Sequence, residues 1–447
     1  MSTAAGTAPP DPARLVHGDA VDPRVYTEPS IFALEMQRLW ARSWLYVGHE
    51  SQVPTAGDFL TTTLATRPVI LCRGEDGALQ VFHNRCAHKG TQLLCEASGQ
   101  RRNLQCPYHG WTYALDGRLI ARQRGEDYAG TAFASGSSET ALQRLPGIAS
   151  YRGFVFARIT PAGPSLEDWL GPACSSFDNL VERSPAQALR VEGGALRYLH
   201  QCNWKMLLEN VSDNLHAPVT HRSAIQPARE IAAALGAGEP RPPELDMILP
   251  FGSSYDFFAD SGMTLLPNGH SWTGGTQSIH SAYPEDADYL AAMHAAVGEA
   301  RTREILAVNR HNTVIYPGLS IKCALQTVRV YRPIAVDRTL QETWTLRLVG
   351  APNTLFRRSL RYNQLVFSPA SIAGQDDHEC YRRMMAAASA AGPGVPVSLH
   401  RLAAGADAPT DAREWQTSGA NEAVFRHEFR AWLAGMRDTD SNAEAAA

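Results

Sequence analysis

The residues best suited to chemistry are four metal-ligating side chains in two short pairs. Cys86-Ala87-His88 is followed, after 17 residues, by Cys106-Pro107-Tyr108-His109, which continues into Gly110-Trp111. A single Cys or His in a long chain is usually core or surface, but four in two such pairs are a constellation. Two thiolates and two imidazoles on two loops can hold a tetrahedral zinc or a two-iron cluster. Zinc sites tend to group Cys with Cys and His with His, whereas here each loop supplies one of each. A cluster in which one iron takes both thiolates and the other both imidazoles needs loops of that composition, because each must reach both irons. A second constellation runs Asn203-Trp204-Lys205, then Glu209-Asn210-Val211-Ser212-Asp213-Asn214-Leu215-His216, then His221. On a helix, Asp213 and His216 share a face, and His221, beyond Pro218, has to be delivered by the turn that ends the helix. Two imidazoles and one carboxylate on one face of an iron leave its other positions free for dioxygen, water or substrate. Acidic candidates for a third ligand after Asp337 are few, and Gln375-Asp376-Asp377-His378-Glu379-Cys380-Tyr381-Arg382 stands out. Spacing does not separate Asp376 from Asp377. The pair also suits the first turn of a helix, where carboxylates oppose the macrodipole.

Composition sets the frame for these sites. At 447 residues the chain is roughly two to three domain lengths, so two domains are expected. With 41 Lys and Arg against 45 Asp and Glu, a net charge of -4 and 19% charged residues, a binder of nucleic-acid backbones is excluded. Eight cysteines are too dilute for a disulfide scaffold. The opening MSTAAGTAPPDPAR has neither the basic nor the apolar region of a signal peptide, and no run approaches the roughly 18 apolar residues of a membrane span. A cytoplasmic protein without membrane association is therefore expected. Cys72, Cys95, Cys174, Cys202, Cys323 and Cys380 read as small buried hydrophobes.

The elements that must position the ligands follow from periodicity. Residues 31–44 have helical spacing, and short β-rich runs follow at 59–64, 69–72, 79–83, 111–114 and 154–159. Asp116-Gly117 marks a hairpin of type I′, with positive φ at both central positions. The region 44–160 is thus a small all-β domain carrying the Cys/His pairs. Beyond Pro161 the pattern is α+β: helices at 199–220, 284–308, 357–365 and 376–388, and strands at 312–319, 320–333 and 342–349. Residues 236–243, rich in Gly and Pro, read as a surface loop, and their Gly-x-Gly lacks the third glycine and the βαβ setting of a dinucleotide site.

Together, Cys-x-His, the 17-residue gap and Cys-Pro-Tyr-His-Gly-Trp resemble the Rieske domain of aromatic-ring-hydroxylating oxygenases. The string Asn-Trp-Lys…Glu-Asn…Asp-x-x-His-x4-His resembles the mononuclear-iron motif of the same family's large (alpha) subunit. The segment from Gln375 resembles the Asp-Asp-x-Glu-x-aromatic-Arg run of benzoate- and anthranilate-type large subunits. The resemblance implies an N-terminal segment with a helix at 1–43 and an antiparallel all-β Rieske [2Fe-2S] domain at 44–160. A helix-grip catalytic domain at 161–440 and a disordered tail at 441–447 would follow. It implies a cluster on Cys86, His88, Cys106 and His109, and a mononuclear Fe(II) on His216, His221 and Asp377. Asp213 would carry electrons between His216 and His109 of the next chain, and Asn210 would lie near the iron. Thr91 and Tyr108 stand where respiratory Rieske proteins have an extra cysteine pair, which implies a low reduction potential. The implied activity is that of a terminal oxygenase hydroxylating an aromatic substrate, by ring dihydroxylation of an aromatic acid. A Rieske monooxygenase or O-demethylase is the alternative, and an electron carrier without oxygenase activity a more remote one. Lacking a nucleotide site, the chain would depend on a separate NAD(P)H reductase, with or without a ferredoxin. It would assemble as a homotrimer or as α3β3 with a small β subunit. Arg329 and Arg332 are candidates to pair a substrate carboxylate, but read more simply as solvated strand residues.

Overall fold

The computed structural model describes residues 9–437 except 135, 276, 281–285, 393 and 406–411. The tail expected at 441–447 lies outside the described residues. Two compact units emerge: one is Trp40–Leu166, the other combines residues 9–39 with residues 167–437. Among the described residues, no helix is long and apolar enough to cross a membrane.

The smaller unit is built from antiparallel strands. Asp58–Leu64, Arg67–Arg73, Leu79–His83 and Ser98–Gln100 form one sheet with Arg67–Arg73 inside it. That strand reads Val69-Ile70-Leu71-Cys72 without alternation because all four side chains are buried. A second sheet joins Gly147–Tyr151, Phe154–Arg158 and Leu45–His49, and a short ribbon joins Leu104–Gln105, Thr112–Tyr113 and Leu119–Ala121. Phe59, Ile70, Phe82, Leu104 and Trp111 pack into one core that includes Cys86 and Cys106, so both candidate thiolates sit at the edge of apolar packing. The turn at Asp116-Gly117 exists, but only Gly117 has positive φ, at 88°. Its amide bonds Ala114 O at 2.9 Å. The type I′ geometry expected there is therefore replaced by a three-residue loop, closed by Ala114 N to Arg118 O at 2.9 Å, whose last residue is a left-handed glycine.

The larger unit is an eight-stranded antiparallel sheet. Its order is Leu189–His200, Arg338–Leu348, Thr327–Ala335, Leu319–Lys322, Asn309–Ile315, Ser271–Gly275, Met263–Leu265, Trp415–Thr417. Helices Trp204–Ser212, Asn353–Phe367 and Gly374–Ala391 pack against it. Three expectations change. The run 320–333 is not one strand, because a 3-10 turn at Cys323–Leu325 separates Leu319–Lys322 from Thr327–Ala335. Residues 199–220 are not one helix: a strand ends at His200, the helix runs from Trp204 to Ser212, and a second short helix spans Ala217–Thr220. The break falls at Asp213, whose φ of -87° and ψ of 124° leave the helix while its carboxylate accepts from Leu215 N at 2.9 Å. Within 286–308, Gly298 at φ 83° separates Ala287–Val297 from Glu299–Ala307.

The Asn203-Trp204-Lys205 run has a structural explanation. Asn203 caps its helix by accepting from Lys205 N at 3.2 Å, and its amide donates to Tyr26 O and Val336 O. Trp204 Nε1 donates to Glu35 Oε2 at 2.9 Å, Trp432 Nε1 to Glu35 Oε1 at 2.7 Å, and Lys205 Nζ pairs with the same carboxylate. Glu35 is fully buried and so ties the N-terminal segment to two helices. Replacing Glu35 by Ala leaves Lys205 buried without a counter-charge, and a loss of about 3–5 kcal/mol is expected in chemical denaturation. A loss below about 1 kcal/mol would show that the hub is not holding the helix.

Candidate metal centres

The two Cys/His loops are built alike. In the first, Cys86 N bonds Thr91 O at 2.8 Å and Gly90 N bonds Cys86 O at 3.0 Å; in the second, Cys106 N bonds Trp111 O at 2.8 Å and Gly110 N bonds Cys106 O at 3.1 Å. Both glycines take positive φ, 73° and 67°, which a side chain would strain. Asn84 fastens the first loop by accepting from Leu93 N and Leu94 N and donating to Leu94 O. Each loop thus presents one buried thiol and one imidazole. The His88 and His109 rings lie 4.6 Å apart, and His88 stacks on Trp111 at 4.9 Å. Nδ1 of His88 and Nδ1 of His109 are both buried without a hydrogen-bond partner, the state of a nitrogen arranged for a metal. Tyr113 adds a polar contact that the sequence did not single out: its hydroxyl accepts from Ala87 N at 3.2 Å and lies 3.0 Å from Cys86 Sγ. Burial, with Cys86 beside it, pushes the phenol well above its ordinary pKa, so it keeps its proton for the sulfur.

In the larger unit, His216, His221 and Asp377 bring one ligand atom each to within 4.8 Å of one another, the one such group of His, Cys, Asp or Glu among the described residues. Nε2 of His216 and Nε2 of His221 each lie 3.7 Å from Asp377 Oδ1. The opposite ring nitrogens are backed by carboxylates: Asp213 Oδ2 is 3.6 Å from His216 Nδ1, and Asp376 Oδ2 is 3.8 Å from His221 Nδ1. This separates the two aspartates that spacing left open. Asp377 faces both imidazoles, while Asp376 stands behind one and accepts from Ser223 Oγ at 2.6 Å. Both separations exceed hydrogen-bond length and leave the two Nδ1 atoms buried without a partner; a carboxylate that closes on a ligating imidazole fixes its tautomer and raises its basicity. Burial alone would raise the Asp213 pKa, but the adjoining His216 and Arg401, 3.5 Å away, hold it below the ordinary value. Asn210 Nδ2 donates to Asp377 Oδ1 at 3.1 Å and lies 3.2 Å from His216 Nε2. Asp377 arrives in the first turn of Gly374–Ala391, and His216 and His221 flank the short helix Ala217–Thr220.

These comparisons agree with known proteins. Residues 43–129 match the Rieske [2Fe-2S] domain model, and residues 188–435 match the model of the ring hydroxylating alpha subunit catalytic domain. The chain belongs to the ring-hydroxylating oxygenase alpha-subunit family. It is 29% identical over 423 residues to toluate 1,2-dioxygenase subunit alpha of Pseudomonas putida, covering 93% of this chain and 86% of that one. Over 379 residues it is 31% identical to biphenyl dioxygenase subunit alpha of Metapseudomonas furukawaii, covering 80% and 78%. Its fold matches the structure of naphthalene 1,2-dioxygenase from Rhodococcus sp. bound to indole with a TM-score of 0.74 at 23% identity, over 93% and 94% of the two chains. Members carry a [2Fe-2S] cluster and a mononuclear iron, and the donor sets above fit both.

A cavity opens beside the three converging ligand atoms, walled by Leu207, Phe251, Phe258, Ile279 and Phe367 among others. It also takes in Tyr198, His200 and Tyr381. The reading of Arg329 and Arg332 as solvated is corrected: both are buried, Arg332 pairs with Glu342 at 2.6 Å, and Arg329 lines the cavity together with Lys322. Both lie on the strand Thr327–Ala335, which is buried on both faces from Thr327 to Pro333, so its arginines are not solvated on either side. Cys95 and Cys380 are exposed, against expectation, and every described cysteine is free.

Removing the Tyr113 hydroxyl tests the reading of the first centre. Tyr113→Phe is expected to lower the cluster's reduction potential in protein-film voltammetry, because a hydrogen bond to sulfur stabilises the reduced state. An unchanged potential would mean that the hydroxyl does not reach the cluster.

Proposed function

We propose that this chain is the terminal oxygenase of a multicomponent system that dihydroxylates an aromatic acid, with electrons from a separate NAD(P)H reductase, directly or through a ferredoxin. The observation that carries this is the convergence of His216, His221 and Asp377 on one point at the wall of an apolar cavity. The similarity to a toluate dioxygenase alpha subunit along most of the chain supports the acid. Residues 44–160 act as the Rieske domain and 161–440 as the catalytic domain. Cys86, His88, Cys106 and His109 would hold the cluster, and His216, His221 and Asp377 the iron. When bound, these groups supply one-electron storage and the activation of dioxygen, respectively.

The chain's own side chains then have separate tasks. Asp213 and Asp376 keep the imidazoles in register, and Asn210 fixes the carboxylate of Asp377 by hydrogen bonding. Phe251, Phe258 and Ile279 hold an aromatic ring and exclude water. Asp213, at His216, also lies on the path by which electrons arrive from His109 of a neighbouring copy, which favours a homotrimer or an α3β3 assembly with a small β subunit.

Protein reconstituted with a reductase and NADH should convert aromatic acids to cis-diols carrying both atoms of isotopically labelled dioxygen. Incorporation of one atom would make it a monooxygenase, and turnover with NADH alone would refute the separate reductase. Asp213→Ala should leave both metal centres loaded while turnover falls by about 100-fold or more. Retained turnover would remove Asp213 from the electron path.

A further inference from the structure

The cavity beside the triad contains two buried cations that no side chain neutralises. Lys322 is 2% exposed and Arg329 6% exposed. Among the described residues, neither has a carboxylate partner. Lys322 Nζ instead meets His280 Nε2 at 3.1 Å and the ring nitrogens of His311 at 3.4 Å. Arg329 Nη2 donates to the neutral Asn312 Oδ1 at 3.0 Å, and the guanidinium lies 4.4 Å from the centre of the Phe367 ring. Two other buried cations of this unit do have carboxylate partners, Arg332 with Glu342 and Lys205 with Glu35, whereas Arg183, outside this cavity's lining, donates to the neutral oxygens of Asn179 and Val308.

Register brings the two charges together. Ser320 is opposite Arg329 and Lys322 is opposite Thr327 on neighbouring strands, so the two-residue period puts Lys322 and Arg329 diagonally on the same face. Both line the cavity that also holds His216, His221 and Asp377, as do Asn312 and Gln341 on flanking strands. The sheet thus supplies a cationic floor, while the helices and their connections supply the metal-ligating atoms. Burying like charges side by side without an anion is strongly unfavourable. Burial and the charge of Arg329 push the Lys322 ammonium far below its ordinary pKa. An arriving anion would reverse that penalty, and the remaining wall accepts an aromatic ring.

We propose that Lys322 and Arg329 form the carboxylate anchor of the substrate, holding an aromatic acid by its carboxylate on the sheet with its ring directed to the triad. This rests on the oxygenase reading of the site and adds the residues that select an anionic substrate over a neutral one. A ring held by its carboxylate presents a fixed edge to the triad.

The test is calorimetric titration of the metal-loaded protein, without reductase, using benzoate and 2-naphthoate against benzamide and 2-naphthamide. Wild type should bind at least one acid about 30-fold or more tighter than the matched amide. Lys322→Met and Arg329→Gln should each weaken acid binding by about 10-fold or more while amide binding stays within about 3-fold, and Arg329→Lys should recover part of the loss. Acids that bind no better than amides in wild type would overturn the anchor, whatever the variants do. So would variants that weaken both classes equally. Failure of the oxygenase reading would look different: acid selectivity intact by calorimetry, with no oxygenated product from the reconstituted system.

Discussion

Two imidazole nitrogens facing one carboxylate oxygen at 3.7 Å are the constraint on which the catalytic unit depends. The separation is too long for hydrogen bonds and leaves room for one ion, round which the three atoms would close to bonds of about 2.1 Å. Meeting it needs two segments far apart in sequence. The break at Asp213 turns the chain so that His216 and His221 flank a single helical turn, and the start of Gly374–Ala391 brings Asp377 opposite them. Behind these, Glu35 fixes the helix that carries Asn210 through the Trp204 indole and the Lys205 ammonium, and joins it to a second helix through Trp432. Each layer holds the next, so the site has little freedom to relax.

The other centre solves a similar problem with loops. Two chain segments of matching hydrogen-bond pattern each offer one thiol and one imidazole, and a left-handed glycine closes each. Loops rigid enough to do this have to be anchored in a core, and Cys86, Cys106 and Trp111 belong to one. The buried Nδ1 atoms of His88 and His109, without hydrogen-bond partners, are the atoms that would hold an iron.

Much of this was legible in the sequence because metal chemistry constrains residue type and spacing locally. The Cys/His pairs, the His-x4-His and the small β domain are read within short windows. What was not legible depends on register or on distant partners. Asp376 and Asp377 are adjacent in sequence and differ only in which imidazole face they meet. Asp213 ends its helix by an Asx-type bond to Leu215, which overrides the helical spacing around it. The strand Leu189–His200 escaped notice because its mixed polar sequence and Gly193-Gly194 conceal the alternation of an edge strand. Lys322 and Arg329 look like ordinary polar strand residues until the sheet face toward the cavity is known.

The central claim is that one chain holds two independent iron centres, and counting metal in a ligand variant tests it most directly. Purified wild type should contain about three irons and two acid-labile sulfides per chain, whereas Asp377→Ala should contain about two irons and two sulfides with the reduced cluster's EPR signal unchanged. Equal iron in the two proteins, or zinc in place of cluster iron, would contradict the account.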